Sequence, residues 1–267
     1  MSRIKAIILD WAGTAVDYGC FAPVDAFMAA FADFGIYPTM QETRAPMGLQ
    51  KRAHIAKMLE NRRLAAAWEA QHGRPHTQAD IDKIYSRFEP ALFSVLTKYA
   101  DPLPGVLDAI AVIRAMGIKI GSTTGYTQAM MDVVVPLATE KGYLPDCIIC
   151  PDDVGGIGRP YPYMLWRNLE KLGIESIESV LKVGDTAADM EEGRNAGCLS
   201  VGIIKGSSML GLTEAELAEK NNMEKAVFFE SAKRGYLDAG ADYVLEDISA
   251  LPGLIQSLEE GTDYTYV

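Results

Sequence analysis

Carboxylates stand where apolar runs end in this chain, and that placement is the first sign of chemistry. Asp10 follows Ile4-Lys5-Ala6-Ile7-Ile8-Leu9 and leads into Gly13, so a short buried strand delivers it to a turn. Asp185 ends a second run, Val183-Gly184, and Asp189 falls in the first turn of the following helical segment. A third strand end carries hydroxyls and a glycine, Ser122-Thr123-Thr124-Gly125, and Arg159 precedes a further helix. In an open parallel sheet, ligands bind at the carboxyl ends of strands. Each group alone also reads as a strand or helix cap, or as a solvated arginine. Together, two acidic strand tips, a hydroxyl-bearing tip and a cation form a site for Mg²⁺ and a phosphoryl group.

A second constellation lies in the helical stretch further along. Arg44-Ala45-Pro46-Met47 reads as a helix start at Pro46, which would place Met47, Lys51 and His54 on one face. An amine grouped with a methionine and an imidazole suits Schiff-base formation with a carbonyl compound. An exposed helix lysine fits the same pattern.

The elements that must position these groups follow from periodicity. Helical spacing covers 23–34, 41–60, 62–71 and 77–97. After Asp101-Pro102-Leu103-Pro104-Gly105 the character changes to alternation: helix 105–116, strand 118–123, helix 127–140, strand 146–150, helix 161–172, strand 179–184, helix 187–196 and strand 199–204. Two polar-faced helices over 213–239 and a last strand over 241–246 complete the chain. The expectation is an α/β protein with a doubly wound parallel sheet. Its core comprises residues 1–19 and 100–267, and residues 20–99 form an inserted all-helical domain.

With 267 residues, 49% of them hydrophobic, the chain can bury a large core. A net charge of −11 argues against nucleic acid as a partner, and an anionic substrate needs local positive charge or a metal. No apolar run nears the roughly 18 residues of a membrane span, and the N-terminus lacks a signal-peptide layout, so a cytoplasmic location is expected. Cys147 and Cys150 fall on a predicted strand, where residues three apart face opposite sides, which speaks against a metal or redox pair. His72 and His76 flank a Gly-Arg-Pro break and read as solvated. Phe27, Phe31 and Phe34 belong either to the interior of the helical insertion or to a dimer face.

The ordered pieces DxxGTxxD (Asp10, Gly13, Thr14, Asp17), the Thr-Gly strand end, Arg159 and GDxxxD (Asp185, Asp189) resemble the haloacid dehalogenase superfamily of aspartyl phosphotransferases. Within it, DWAGTAVDYGCFAP, PMGLQKRAH, GIKIGSTTGYT, PDDV with GRPYP, and VGDTAADMEEGRNAG are similar to the phosphonatase branch, which cleaves the P–C bond of phosphonoacetaldehyde. The resemblance implies that Asp10 is the phosphoryl nucleophile and that Asp10, the carbonyl of Ala12 and Asp185 hold Mg²⁺ with support from Asp189. It implies that Lys51 forms the imine, with Met47, His54, Cys20 and Tyr126 around it. Thr124, Gly125 and Arg159 would hold the phosphonate, Gly48 would let the insertion approach closely, and a homodimer would form through the cap. Ala12 departs from the superfamily's phosphatases and mutases, which carry an Asp there as general acid and base. An imine leaving group needs no such acid, whereas a phosphatase, a mutase or a silent scaffold is the alternative.

Overall fold

The computed structural model describes residues 4–262; residues 1–3 and 263–267, at the two ends of the expected core, lie outside the described residues. Six strands form one sheet in the order β3-β2-β1-β4-β5-β6: β1 (Ala6–Leu9), β2 (Lys119–Thr123), β3 (Cys147–Ile149), β4 (Val180–Gly184), β5 (Leu199–Ile203) and β6 (Tyr243–Leu245). Every pairing is parallel. Strands this short and apolar are stable only with both faces covered, and β1 and β4 are buried at every position.

The order reverses beside β1, which lies between β2 and β4, so the crevice above those three tips is the topological switch point of the sheet. Register aligns Leu9 with Ser122 on one side and with Val183 on the other. Asp10 therefore emerges between the hydroxyl-bearing end of β2 and Asp185 after β4.

Between β1 and the first core helix α6 (Val106–Ala115) come five helices: α1 (Phe21–Ala32), α2 (Met40–Arg44), α3 (Lys51–Leu59), α4 (Arg62–His72) and α5 (Gln78–Leu96). α1 packs along α5, and α3 lies against α4 and α5. Phe27 and Phe31 are interior, and Phe27 stacks between Phe88 and His54 with centroids 4.2 and 3.9 Å away. These two rings thus belong to the inside of the insertion rather than to a dimer face. His72 lies on Trp68 and bonds to the Phe34 carbonyl, although it is exposed. The remaining helices are α7 (Gln128–Glu140), α8 (Tyr163–Leu172), α9 (Ala187–Ala196), α10 (Glu214–Glu219), α11 (Asn222–Asp238) and α12 (Leu251–Glu260). Among the described residues, no helix is long and apolar enough to cross a membrane.

One sequence expectation fails here. The helix does not start at Pro46: residues 45–49 form consecutive turns with Gly48 at φ +88°, and α3 begins at Lys51 with Gln50 as its N-cap. The Gln50 side chain accepts from Ala53 N, a cap that Pro46 cannot supply. Met47 consequently sits in the turn, while Lys51 and His54 share a face of α3.

The chain leaves the sheet through Asp17 and Cys20, both at positive φ (59° and 52°). It returns beside the same point, where Val16 bridges Pro102 and Leu103 N donates to Ala15 O at 2.9 Å. Asp17 accepts from the N–H groups of Phe21 and Ala22, capping α1. Burial pushes its carboxyl up to about 7 despite those bonds. A carboxyl raised in this way holds its proton longer when folded than when unfolded, so its contribution to stability falls as pH rises from about 4 through about 7. Asp17→Asn keeps an acceptor for the cap and removes this dependence. In urea melts at pH 5 and pH 8 the wild-type midpoint should drop more than that of the variant, and parallel shifts would count against the assignment.

Candidate active site

The loop after β1 is wound tightly over the sheet: Ala15 and Val16 N–H both bond to Trp11 O, and Gly13 N bonds to Val16 O. Gly13 sits at φ +87°, and a Cβ there would lie 2.3 Å from Asp185 Oδ2, so only glycine lets the loop reach this carboxylate. Asp10, Asp185 and Asp189 are all buried, and each offers an oxygen within 4.8 Å of the others. Ser208 N donates to Asp185 Oδ2 at 2.7 Å, and Thr14 Oγ1 donates to Oδ1 at 3.3 Å.

Arg159 enters this cluster from the segment before α8. Its Nη2 donates to Asp10 Oδ1 at 2.7 Å and to Thr123 Oγ1 at 2.8 Å, its Nη1 faces Asp189 Oδ1 at 3.0 Å, and its Nε donates to Glu192 Oε2 at 3.0 Å. Behind it Lys182 Nζ lies 2.7 Å from Asp189 Oδ1 and donates to Thr123 Oγ1 at 3.0 Å. Burial drives the Asp10 carboxyl up, but Arg159 and Lys182 outweigh it and hold Asp10 below the usual carboxylate range. Asp185 has no such cation and is pushed well above that range by burial, then by Asp10 and Asp189. Burial also raises Glu192 against the pull of Lys182 and Arg159.

With all four ionised, the buried carboxylates Asp10, Asp185, Asp189 and Glu192 exceed the buried cations Arg159 and Lys182 by two charges. An all-oxygen set with that deficit fits a hard divalent cation. Asp189 has both oxygens engaged, Oδ1 by Lys182 and Arg159 and Oδ2 by the Thr186 cap, so it braces the site from behind.

The inserted helices close over these groups. Lys51 is 4% exposed, has no carboxylate within ion-pair distance among the described residues, and lies 4.8 Å from the centre of the Tyr126 ring. Burial lowers the pKa of its ammonium and so eases loss of the proton, an effect partly offset by Cys20 and Asp10. His54 Nε2 lies 2.8 Å from the Thr43 carbonyl. A carbonyl has no proton to give, so Nε2 carries the hydrogen, and the buried Nδ1, without a partner, keeps its lone pair. Burial and Lys51 hold this imidazole neutral, well below the ordinary histidine range. Cys20 is a buried thiol, raised well above the usual range by burial and by Asp17 and Asp185. Burial keeps the Tyr126 hydroxyl protonated in the same way. Met47 is buried close by.

Gly48 presses on the core: a Cβ there would sit 2.2 Å from Thr186 Oγ1. Opposite it, a Cβ on Gly125 would meet the Leu49 carbonyl at 2.9 Å. Thr124 Oγ1 caps the turn by accepting from Tyr126 N, and it is Thr123 that joins the charge network.

Sequence reading missed Lys182, Glu192 and Ser208, and it took in Thr123 only as one hydroxyl of the third strand end. The first two carry a readable signal: a lysine between Leu181 and Val183 in a fully buried strand needs carboxylates, and Glu192 follows Asp189 by three on one helix face. Ser208 lies in an irregular loop with no pattern. Arg44, likewise overlooked, donates from Nη1 to Gly19 O at 2.6 Å and covers the Phe21 ring. It borders a cavity of about 520 Å³ shared with Met47, Thr186 and Ser208.

Residues 4–197 match the sequence model of the haloacid dehalogenase-like hydrolases. The chain belongs to that family. This hydrolase is 45% identical to a phosphonoacetaldehyde hydrolase of Bacillus cytotoxicus over 97% of each chain. It is 44% identical to a bifunctional phosphonoacetaldehyde hydrolase/aminoethylphosphonate transaminase of Clostridioides difficile, over 97% of this chain and 41% of that protein. A solved structure of a phosphonoacetaldehyde hydrolase-like protein from Oleispira antarctica superposes with a TM-score of 0.94 at 34% identity, covering 97% of this hydrolase and 94% of that chain.

The Gly48 contact yields a direct test. Gly48→Ala should force the turn off Thr186 and lower kcat/KM by about tenfold or more. Gly73→Ala, at a similar positive φ of 70° but with nothing within 4 Å, should leave kcat/KM unchanged. Equal effects from the two would show that backbone strain, not the approach, is responsible.

Proposed function

We propose that this hydrolase cleaves the P–C bond of phosphonoacetaldehyde to acetaldehyde and phosphate, in the cytoplasm, with residues 20–99 acting as a cap and two copies pairing through it. The observation that carries the reading is Lys51: a buried amine without an acid partner, held over a ring beside a phosphoryl-type centre. The 45% identity to a phosphonoacetaldehyde hydrolase supports it.

Direct P–C cleavage would expel an enolate-like carbanion, a poor leaving group. Lys51 Nζ instead adds to the aldehyde and loses water to give an imine. Its protonated form draws the P–C bonding pair into the new C–N system as Asp10 Oδ attacks phosphorus, so the leaving group is an enamine. The enamine takes a proton on carbon, water adds to the resulting iminium, and acetaldehyde departs from the regenerated amine. A second water cleaves the aspartyl-phosphate. His54 Nδ1 and the Tyr126 hydroxyl handle the protons at the imine, and Cys20 and Met47 enclose it as neutral, apolar neighbours. Arg159, Thr124 and Gly125 hold the phosphonate while Gly48 brings the cap down.

Asp10, Asp185 and the carbonyl of Ala12 would hold Mg²⁺, with Asp189 bracing the site. When bound, the ion neutralises phosphoryl charge and offsets the repulsion between Asp10 and Asp185.

Borohydride added with phosphonoacetaldehyde should label Lys51, and Lys51→Arg should abolish the label and cut turnover by at least about 10³-fold. An active wild type with no adduct on Lys51 would refute the imine. Rapid turnover of phosphate monoesters without turnover of the phosphonate would establish the phosphatase or mutase alternative. Ala12→Asp places a second carboxylate beside Asp10, whose charge already favours protonated Lys51. Imine formation should then slow by about tenfold at neutral pH, with the acid limb of its pH profile displaced upward. An unchanged rate would break the link between Ala12 and Lys51.

A further inference from the structure

Glu192 and Lys182 are fully buried behind the strand tips and touch neither Asp10 nor Asp185 by hydrogen bond or ion pair. Yet every polar contact they make leads to a group that does reach the centre. Glu192 Oε2 accepts from Arg159 Nε at 3.0 Å and from Thr123 Oγ1 at 3.0 Å. Lys182 Nζ lies 2.7 Å from Asp189 Oδ1, 3.0 Å from Thr123 Oγ1 and 3.5 Å from Glu192 Oε2. Arg159 is thereby held at Nε by a hydrogen bond to Glu192 and at Nη1 by ion pairing alone with Asp189 Oδ1, 3.0 Å away. A guanidinium is a rigid planar fork, so fixing two of its nitrogens sets the direction of the third. That third nitrogen, Nη2, is the one at Asp10, 2.7 Å from Oδ1.

Stability alone is a poor reason for this arrangement. Burying two cations with three carboxylates costs desolvation that their attraction barely repays, and well-packed apolar replacements are often as stable. Arg159 without Lys182 would face three carboxylates alone, and little of its charge would be left for an incoming anion. Lys182 takes up Asp189 and part of Glu192.

We propose that Glu192 and Lys182 are positioning residues for phosphoryl binding: Glu192 aims the Nη2 edge of Arg159, and Lys182 occupies the carboxylates that would otherwise neutralise it. The proposal rests on the phosphoryl-transfer reading above.

The test uses inorganic phosphate with Mg²⁺, titrated calorimetrically into the full-length protein, alongside KM and kcat for phosphonoacetaldehyde and a thermal melt. The paired variant Lys182→Met with Glu192→Met removes both charges and fills the space. It should melt near the wild type while its phosphate Kd and its KM rise by tenfold or more. Glu192→Gln, which keeps one acceptor and loses the charge, should raise both at least threefold and less than the pair does. A folded pair variant that binds phosphate as the wild type does would reduce the two residues to structural filling and overturn the proposal. Should the pair fail to fold, Glu192→Gln decides, and wild-type affinity in it overturns the proposal equally. A wild type that binds no phosphate would instead sink the phosphoryl-transfer reading, and this proposal with it.

Discussion

One guanidinium, enclosed by carboxylates and shut off from water, sets the terms for the rest of this structure. Arg159 is pinned to Asp10, Asp189 and Glu192, which arrive from β1 and from two turns of α9. Buried charge at this density survives only where each partner is held by its own element. The sheet does that holding. Parallel register puts β1 and β4 tips side by side, the capped start of α9 presents Asp189, and the tight turn at Gly13 keeps the loop low enough to reach Asp185. Loosening any of these would expose the guanidinium or leave a carboxylate unpaired in the interior.

The same charges divide the site into two electrostatic halves. On the sheet side Asp10 is kept ionised by its cations. Facing it, Lys51, His54 and Cys20 of the insertion, with Tyr126 from the loop after β2, are all displaced by burial toward their neutral forms. An ionised carboxylate and an amine whose charge burial disfavours thus lie in one site. Burial drives the insertion side, and opposite charge drives the sheet side.

Much of this was legible in the residues. Short apolar runs locate the strands and period-3.6 spacing most helices, and their alternation after residue 105 implies a parallel sheet. Asp10 and Asp185 stand out at the ends of apolar runs and Arg159 before a helix; each has a bland reading alone, and it is their combination that points to a site. The start of α3 was misplaced because Pro46 is a good first helical residue, and nothing local reveals that Gly48 must turn away to clear Thr186. Ser208 was invisible for a related reason: a backbone N–H carries no sequence signature, and its loop meets Asp185 only through the fold. Lys182 and Glu192 were visible but unread, since an isolated charge in a strand pattern is easily passed over when the stretch around it is already explained by its apolar neighbours.

The exit and return of the chain lie side by side, at the Val16–Pro102 bridge and the Leu103–Ala15 hydrogen bond. The five helices are therefore joined to the sheet through the chain at one seam, and no pairing within the six-stranded sheet has to change if that insertion is altered or replaced. Whatever the insertion contributes is separable in heredity from what the strand tips contribute. Such an architecture lets a lineage keep one reaction centre and acquire new substrates by exchanging what is sewn in at that seam.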